Sequence, residues 1–524
     1  MKNLIVKYYK KQKVFSCVKK CIYILLFIWV TSLSCLQAQV FDPALIGSSF
    51  VLPLQQVDWP LKVGIEPQLF IDNYMVHSMP GVVRVFHQPQ KYGNNPILEG
   101  LANGTIIYVP EEKQYRMYYD AGHRVAFSKD GIHWQKPNLG LVSIDGSTNN
   151  NVIIDYSCPS DLASFIYDPE DPDPGKRWKA SIFYYDKQDN PRWSKKGGQY
   201  GDKAGLYGFF STDGLHWDTD KAILLIPGRK GKLSGSEWPL TGVDDVSIVT
   251  WDERMKKYVA WLKIWDRADG RYYRARAMSL SDDFIHWSQP WAVLLPDKLD
   301  PPDLQLYGMV GWPYASMWVG TLRAYHSSTG NHPVDLQLVT SRDGIHWERA
   351  GKRGAFIPNG PEGSYDHGYH HEFSNPPIRI GDELYFYYAS TPYGKAVPID
   401  YKKDPRICLA KLRVDGFASL QAVGKHESSY VVTRPLDFTG KDLYLNADAK
   451  DGNISVEVLS GDQDNDFQPI AGFTREECIS LKGDGVEQPV SWKKHKDLSS
   501  LSGKRIRLKF YLKEEAALYS FKIY

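Results

Sequence analysis

A seven-residue pattern that recurs along the chain constrains its fold more than any other feature. The copies are SKDGIHW (128–134), STDGLHW (211–217), SDDFIHW (281–287), SRDGIHW (341–347) and a weaker RVDGFAS (413–419). Recurrence of this kind is typical of a repeated structural unit. Asp-Gly supplies the positive φ of a tight hairpin, and Trp begins the returning strand. The repeat aspartates, which we expect to accept hydrogen bonds from turn amides, are Asp130, Asp213, Asp282 and Asp343.

Two further strands precede each hairpin. An aromatic-rich strand ends near residues 120, 186, 266, 326 and 390, and an apolar strand lies upstream at 104–109, 164–167, 246–251, 305–311 and 374–380. Two strands followed by a hairpin make a four-stranded blade, and five blades make a propeller. Helical periodicity is nearly absent. The sequence therefore predicts an all-β chain with a five-bladed β-propeller at 66–428, after an N-terminal lead-in at 39–65.

After residue 428 the pattern changes to cleanly alternating segments such as DLYLNADA, ISVEVLS and RIRLKFYL. Alternation broken by polar turns predicts a small β-sandwich accessory domain at 429–524. Such a domain can bind sugar or cover the propeller edge. The covering role is favoured, because basic and apolar residues alternate along RIRLKFYL and give that strand a solvated basic face.

The first 38 residues have the pattern of a secretory signal peptide. Lysines precede an apolar run at 22–30, and Ala38 offers a small residue at the cleavage point. No later stretch approaches the roughly 18 to 20 apolar residues that a membrane span requires. We expect a mature protein that is periplasmic or secreted. Lipid anchoring at Cys35 is a second possibility, since SLSC is similar to a bacterial lipoprotein signal.

Charge and cysteine content argue against several kinds of partner. The 63 Lys and Arg oppose 61 Asp and Glu, so a formal charge of +2 gives no field to attract nucleic acid or an anionic membrane. Beyond the signal peptide, Cys158, Cys408 and Cys478 remain, which form no metal cluster and at most one disulfide. Aromatic residues make up 13% of the chain, which suits strands and stacking against sugar rings.

The repeated SxDGxHW hairpin on a five-bladed all-β chain resembles the five-bladed propeller glycosidases. This group includes glycoside hydrolase families 32, 43, 62, 68, 117 and 130, and the likeness covers roughly residues 66–425. LFIDNYMV at 69–76 and FHQP at 86–89 look like segments of exported bacterial proteins described as family 32-like. The resemblance implies a carbohydrate substrate and hydrolysis of an O-glycosyl bond. It is specific for the fold and much less so for the activity.

The sequence departs from family 32 at the places where that family carries its catalytic groups. A WMNDPNG-type motif on the first blade and a Glu-Cys pair on a later blade are both absent there. Glu477-Cys478 does occur, but in the C-terminal domain. Catalytic residues therefore cannot be transferred by motif.

A glycosidase needs two carboxyl groups at one point, one to protonate the leaving oxygen and one to act as nucleophile or to activate water. In a propeller, acids just before the innermost strand of each blade are placed to meet at the central funnel. The catalytic candidates on this criterion are Asp245, Asp303, Asp366 and Glu372. Partial burial would raise the pKa of Glu372 and suit it to be the acid.

Other polar and aromatic residues near the same strands are candidates for substrate binding. They are Glu99, Asn103, Asp244, Tyr307, Trp312, Arg323, Tyr369, His370 and His371. Trp265 and Tyr314 are further candidates for sugar stacking. The histidines of the 366–372 loop have no complementary ligand motif elsewhere, so neutral imidazoles that contact hydroxyls are favoured over a metal site. No cofactor is predicted, and a structural Ca²⁺ in the funnel is left open.

Two hypotheses of different class follow. The first is an exported glycoside hydrolase acting on a plant or algal oligosaccharide or polysaccharide. The alternative is a non-catalytic carbohydrate-binding propeller. A phosphorolytic enzyme is a third option and is disfavoured, because an exported chain seldom meets sugar phosphates. The oligomeric state is left open.

Overall fold

The computed structural model describes residues 60–100, 104–156, 160–184, 204–228, 242–268, 271–395, 405–424 and 429–524. The predicted signal peptide, Cys35, Asn103 and Cys158 lie outside these ranges. The described residues contain strands, turns and short 3₁₀ turns at Pro174–Lys176, Thr219–Lys221 and Ser499–Leu501, with no α-helix. In these same ranges no helix has the length and apolar character needed to cross a membrane. The all-β prediction is confirmed.

Six short strands open the described chain: β1 (Leu61–Val63), β2 (Gln68–Leu69), β3 (Val76–Ser78), β4 (Val82–Phe86), β5 (Gln90–Lys91) and β6 (Leu98–Glu99). Strands β1 to β4 hydrogen-bond with strands of the C-terminal region, and only β5 and β6 join the propeller. The sequence placed residues 66–86 in the propeller, whereas their strand pairing groups them with the C-terminal sheet.

The first three blades follow in chain order. Blade 1 is β7 (Thr105–Val109), β8 (Gln114–Tyr119) and β9 (Arg124–Ser128). Blade 2 is β10 (Ser160–Tyr167), β11 (Trp178–Tyr184), β12 (Gly205–Ser211) and β13 (Ile223–Pro227). Blade 3 is β14 (Asp244–Asp252), β15 (Lys257–Ala268), β16 (Arg271–Ser281) and β17 (Trp291–Leu294). Each is an antiparallel meander whose first strand is innermost.

The last two blades complete the ring. Blade 4 is β18 (Leu304–Tyr314), β19 (Met317–His326), β20 (Val334–Ser341), β21 (Trp347–Arg349) and β22 (Ala355–Ile357). Blade 5 is β23 (Tyr369–Glu372), β24 (Ile378–Ile380), β25 (Glu383–Thr391) and β26 (Arg406–Arg413). The N-terminal strands β5 and β6 pair with β26 and supply its outer edge, so the two ends of the propeller close on each other. The five-bladed propeller is confirmed.

Hydroxyl groups join the innermost strands of neighbouring blades around the axis. The Ser374 and Thr105 hydroxyls are 2.5 Å apart and link blades 5 and 1. The Thr105 hydroxyl accepts from the amide of Phe165 on blade 2 at 3.0 Å, and the Ser164 hydroxyl accepts from the amide of Val249 on blade 3 at 2.9 Å. Innermost strands cannot share a continuous ladder around a ring, so side-chain oxygens satisfy the buried amides at these points.

The C-terminal region is a strongly curved sheet. Its strands are β27 (Ala418–Ala422), β28 (Tyr430–Thr433), β29 (Leu436–Phe438), β30 (Leu443–Ser460), β31 (Leu481–Pro489), β32 (Ile506–Glu514) and β33 (Ala517–Ile523). The long strand β30 pairs with β31, β32 and β33 in turn, and the sheet folds around an apolar core that includes Val456, Leu508 and Phe521. This is the predicted sandwich, with β1 to β4 and β27 added to it.

The repeat hairpins are built as the sequence predicts. In the copy at 341–347 the Asp343 carboxylate accepts from the amides of Ile345 and His346 at 2.9 and 2.8 Å, and the Trp347 indole donates to the Gly344 carbonyl. Gly344 has φ of +76°, and a Cβ there would lie 2.8 Å from the Trp318 ring, so both conformation and space favour glycine. The copies at 128–134 and 211–217 repeat these bonds.

Two details of the repeat prediction are wrong. In the 281–287 copy the turn acid is Asp283, whereas Asp282 is exposed and pairs with Lys257. At 413–419 the aspartate does not accept hydrogen bonds from the turn amides that follow it. Asp415 instead accepts from the Tyr314 hydroxyl at 2.8 Å and the Ser520 hydroxyl at 2.6 Å, and so ties the propeller to the C-terminal sheet.

The neighbouring acids Asp283 and Asp282 provide a matched test of the turn. Burial alone would raise the pKa of Asp283, but hydrogen bonds from His286 and Ile285 lower it below its ordinary value, so the turn uses the ionised form. We expect Asp283→Ala to lower the free energy of unfolding by about 1–3 kcal/mol, because two turn amides lose their acceptor.

Asp282→Ala, the control, should change the free energy of unfolding by less than about 0.5 kcal/mol, since an exposed ion pair contributes little. Chemical denaturation followed by fluorescence measures both. Equal effects of the two substitutions would contradict the assignment.

Candidate functional site

A row of charged side chains crosses one face of blade 3. Asp244 lies directly opposite Lys263 on the neighbouring strand, and Lys263 lies opposite Arg276 on the next. Two residues further along the strand of Lys263, Trp265 lies opposite Arg274. Directly opposed residues share a face of a sheet, and so do residues two apart on one strand. These five side chains therefore lie on the same face, which packs toward blade 4.

A β-bulge at the start of β14 presents two acids to one lysine. The register with β15 shifts between Asp244 and Ile248, and Val246 has φ of +58°. The buried ammonium of Lys263 lies 3.5 Å from Asp244 and pairs with Asp245, while the Trp265 indole donates to Asp244. Asp244 and Lys263 are each about 2% exposed, so their charges neutralise each other out of contact with water.

Tyr307 comes from blade 4 and lies among three cations. It is the extra residue of a bulge, because Leu306 pairs with Ala324 and Gly308 with Arg323. The Lys263 and Lys395 ammonium groups and the Arg274 guanidinium lie 4.8, 3.6 and 5.1 Å from its ring centre. Lys395 also contacts the Tyr307 hydroxyl. Such cation–π contacts are attractive and gain strength when water is excluded.

Blade 5 adds a second acid. Glu372 is 4% exposed and pairs through Oε2 with the Arg323 guanidinium. Its Oε1 is buried and has no hydrogen-bond partner among the described residues. The Arg323 guanidinium also donates to His371 Nδ1 at 3.3 Å. Burial first, and then the charges of Arg323 and Lys395, hold the pKa of His371 well below its ordinary value, so this imidazole is neutral.

Arg276 joins blade 3 to blade 4. Its buried guanidinium donates to the carbonyl oxygens of Tyr307 and Val246 at 3.1 Å. Burial lowers the pKa of Arg276 to about 9, while the negative charges of Glu372 and Asp244 act in the opposite direction.

We call this group of side chains the Tyr307 cluster. Its members are Asp244, Asp245, Lys263, Trp265, Arg274, Arg276, Tyr307, Arg323, Tyr325, Tyr369, His371, Glu372 and Lys395. The sequence named eight of them as candidates: Asp244, Asp245, Trp265, Tyr307, Arg323, Tyr369, His371 and Glu372. The structure brings these eight together at the junction of blades 3, 4 and 5.

Asp303 has a different environment from the one predicted. Its carboxylate accepts from the Ser328 amide and the Thr329 hydroxyl, both at 3.0 Å, and so caps the turn after β19. Burial alone would raise the pKa of Asp303, but these hydrogen bonds lower it below its ordinary value. The prediction that its side chain joins the other acids is not supported by these contacts.

Asp366 and His370 lie on the outward side of blade 5. Asp366 pairs with Lys91 on the outer strand at 2.5 Å and accepts from the Ser364 hydroxyl at 2.8 Å. The fully buried His370 is bonded through its two ring nitrogens to the Ser390 hydroxyl and the Pro358 carbonyl. Since side chains alternate along β23, His370 faces away from His371. The predicted convergence of Asp366 with Asp245 is therefore corrected.

Glu99 and Trp312 also differ from expectation. Glu99 was placed before the first strand of blade 1, but it is exposed on β6, which forms the outer edge of blade 5. Trp312 is 6% exposed and packs in the apolar core of blade 4. Asn103 lies outside the described residues.

Five members of the cluster, four of them cationic, were not predicted from the sequence: Lys263, Arg274, Arg276, Tyr325 and Lys395. A signal for the basic residues of blade 3 was present. Lys263 interrupts the apolar run YVAWLKIW of β15, and Arg274 and Arg276 alternate with small residues on β16. A charge inside a buried strand needs a partner, which is a reason to expect function. Lys395 lies in a turn after β25 and carried no such signal.

Among the residues that the structure describes, no group of three or more His, Cys, Asp or Glu side chains is arranged to hold a metal ion. Cys408 and Cys478 are buried free thiols.

A glycine makes room for the Arg323–Glu372 pair. A Cβ at Gly308 would lie 2.6 Å from Glu372 Oε1 and 2.8 Å from Arg323 Nε. We expect Gly308→Ala to lower the free energy of unfolding by about 1–3 kcal/mol, because a buried ion pair must move. Gly354→Ala in the same blade meets nothing within 4 Å and should have little effect. Thermal and chemical unfolding compare the two variants, and equal stabilities would contradict the packing described.

Burial of His370 makes the stability depend on pH. Burial lowers the pKa of His370 to about 4, although its bond to the Pro358 carbonyl opposes the shift. The unfolded imidazole takes up a proton near pH 6.5 and the folded one does not, so stability is complete above pH 6.5 and falls toward pH 4. We expect His370→Asn to be less stable at pH 7 and to lose less stability on acidification. A pH profile parallel to that of the native chain would contradict this.

No protein family model matches the sequence. The chain is 24% identical over 299 residues to an A type blood N-acetyl-α-D-galactosamine deacetylase from Flavonifractor plautii. The match covers 52% of this chain and 35% of that protein, so the chain spans about a third of the length of the curated relative it matches.

Solved structures give weaker likenesses. A crystal structure of an N-acetylgalactosamine deacetylase from F. plautii with blood group B trisaccharide has a TM-score of 0.38 at 16% identity, over 63% of this chain and 94% of that one. A family 43 β-1,3-galactosidase with galactodeoxynojirimycin gives 0.36 at 12%, over 63% and 95%. With TM-scores below 0.5, these likenesses add nothing to the five-bladed strand order described above.

Proposed function

We propose that the protein is an exported glycoside hydrolase whose active centre is the Tyr307 cluster. The observation that carries the proposal is the convergence of acids from blade 3 and blade 5 around a set of aromatic rings. Asp245 and Glu372 supply two carboxyl groups, the minimum for glycoside hydrolysis. Trp265, Tyr307 and Tyr325, which are 7–9% exposed, supply aromatic rings of the kind that stack on sugars.

The contacts of the two acids suggest their roles. Asp245 is half-buried and pairs with Lys263, and a carboxylate in this position is suited to act as nucleophile or as base toward water. Glu372 is the candidate proton donor. Its Oε2 pairs with Arg323, and its buried Oε1 has no hydrogen-bond partner among the described residues, so Oε1 is the oxygen left to carry the proton.

The sequence match supports a carbohydrate substrate. The F. plautii relative is named for deacetylation of N-acetyl-α-D-galactosamine of A type blood. This supports the substrate class and leaves the reaction open between deacetylation and glycosidic hydrolysis. The lysine-rich and apolar pattern of residues 1–38 supports export, and an exported enzyme of this kind suits a plant or algal oligosaccharide or polysaccharide.

A second candidate is a non-catalytic carbohydrate-binding propeller. It is favoured by the pairing of each cluster acid with a buried cation, Lys263 for Asp244 and Asp245 and Arg323 for Glu372. An acid held in a buried ion pair is a poor proton donor. Turnover is the observation that separates the two candidates.

The test is an assay of the purified protein on a panel of plant, algal and animal oligosaccharides. Released reducing ends and released acetate are measured separately, since they report different reactions. We expect reducing ends, and a loss of about 10²–10⁴-fold in kcat/KM in Asp245→Asn and Glu372→Gln. Asp282→Asn, which changes an exposed acid, is the matched control.

Acetate without reducing ends would replace the hydrolase by a deacetylase. Tight binding of an oligosaccharide without either product would favour the binding protein. Full activity in both variants would remove the Tyr307 cluster from the reaction.

A further inference from the structure

A cleft lies between the propeller and the C-terminal sheet. Its propeller wall includes Tyr314 at the end of β18 and Arg379 on β24, and its other wall includes Tyr444 on β30 and Val486 on β31. The cleft has a volume of about 270 Å³, near the lower end of the range of about 300–1,000 Å³ that is usual for small-molecule sites. It therefore has room for a short segment of an oligosaccharide.

The cleft is separate from the Tyr307 cluster. Tyr307 lies near the start of β18, and Tyr314 is the last residue of the same strand. Since a strand rises about 3.3 Å per residue, the two tyrosines lie roughly 20 Å apart. Of the described residues that line the cleft, none belongs to the Tyr307 cluster. A ligand in the cleft is therefore a second ligand, bound away from the acids of the cluster.

Buried hydrogen bonds join the two walls of the cleft. Asp415 of the propeller side accepts from the Tyr314 hydroxyl at 2.8 Å and from the Ser520 hydroxyl of β33 at 2.6 Å. The Asn446 amide of β30 donates to the Val414 carbonyl at 2.7 Å. These bonds hold the walls in place, so a ligand enters a cleft that is already formed and little conformational entropy is lost on binding.

Three polar side chains at the cleft are not used in joining its walls. Among the described residues, the Tyr444 hydroxyl and the Glu66 carboxylate form no hydrogen bond or ion pair. Arg379 donates only through Nε, to the Gly381 carbonyl at 3.1 Å, so its two Nη groups remain available. All three side chains are half-buried or exposed, and Ile65 beside them is 58% exposed. The cleft thus offers donors, acceptors and apolar surface to a ligand.

The charges around the cleft nearly cancel. Its carboxylates are Glu66, Asp415 and Glu487, and its cations are Arg379 and Lys522. Glu487 and Lys522 pair with each other at 2.6 Å, and hydroxyls bind Asp415. An ionic ligand therefore gains little here. A sugar hydroxyl donates and accepts at the same time, so it suits a guanidinium, a carboxylate and a phenol in one site.

We propose that the cleft is a second carbohydrate site, which binds a neutral oligosaccharide through Tyr444, Glu66 and Arg379. The inference goes beyond the proposed function, because the cleft takes no part in bond cleavage. It shares with that function only the class of ligand. Its role is to retain the protein on a glycan chain while another segment of glycan reaches the Tyr307 cluster.

The experiment measures binding by calorimetry, so that it does not depend on turnover. The probes are neutral oligosaccharides from galactan, xylan and mannan, with a polygalacturonate oligomer as the charged comparison. We expect at least one neutral probe to bind, and to bind more tightly than the polygalacturonate oligomer, because the charges of the cleft nearly cancel.

Two variants change the cleft, and each has a matched control. Val486→Trp fills the cleft, whereas Val83→Trp adds the same ring to an exposed position of β4. Tyr444→Phe removes the available hydroxyl, and Tyr108→Phe removes a hydroxyl from an exposed tyrosine of β7. Circular dichroism and thermal unfolding check that each variant is folded.

Val486→Trp should weaken binding of the neutral probe about tenfold or more, because the added ring occupies the space of the ligand. Tyr444→Phe should weaken it about three- to tenfold, because one hydrogen bond is lost. Both controls should bind as the native chain does.

Unchanged affinity in both Val486→Trp and Tyr444→Phe overturns the cleft site. Binding of no neutral probe, or tighter binding of the polygalacturonate oligomer than of every neutral probe, overturns it as well. If Val486→Trp does not fold, unchanged affinity in Tyr444→Phe is sufficient to overturn it.

The turnover assay separates this inference from the proposed function. Binding lost in Val486→Trp, with unchanged turnover of a short oligosaccharide, supports both. Binding lost in that variant, with no turnover by the native chain, supports the cleft site and contradicts the hydrolase. Turnover that depends on Asp245 and Glu372, with unchanged binding in both cleft variants, does the reverse.

Discussion

Charges buried at the junction of three blades constrain the rest of this molecule. Moving a charged lysine or arginine out of water costs several kcal/mol of free energy. The side chain remains buried only when its partners are close and well aligned. Lys263 is held by two adjacent aspartates, and Arg323 by Glu372. Arg276 reaches carbonyl oxygens of blades 3 and 4 together. The Arg323–Glu372 pair joins blades 4 and 5, and Arg276 joins blades 3 and 4, so these blades must keep their relative positions for the charges to remain satisfied.

The sheet geometry explains how these side chains meet. Opposed residues on antiparallel strands share a face, so Asp244, Lys263 and Arg276 form one row. The bulges at the starts of β14 and β18 place extra residues beside that row, and one of these residues is Tyr307. Because Gly308 has no side chain, the Arg323–Glu372 ion pair fits beside it. Local departures from regular pairing therefore shape the site.

The fold could be predicted because its signal is local and repeated. The hairpin at 341–347 forms within seven residues, and its sequence specifies nearly every bond that holds it. The site could be predicted only in part. The criterion of a position before an innermost strand selected Asp245 and Glu372, whose side chains lie in the Tyr307 cluster. It also selected Asp303 and Asp366, whose side chains face a turn and an outer strand. A bulge changes which face a residue occupies, and no pattern in the sequence marks its position.

Binding of glycan at the Tyr307 cluster can be observed in a crystal structure with an oligosaccharide that the protein binds in solution. We expect a sugar that stacks on Tyr307 or Trp265 and lies within hydrogen-bond distance of Asp245. Sugar bound instead in the cleft between propeller and C-terminal sheet, against Tyr314, Asp415 and Tyr444, with the Tyr307 cluster unchanged, would contradict it.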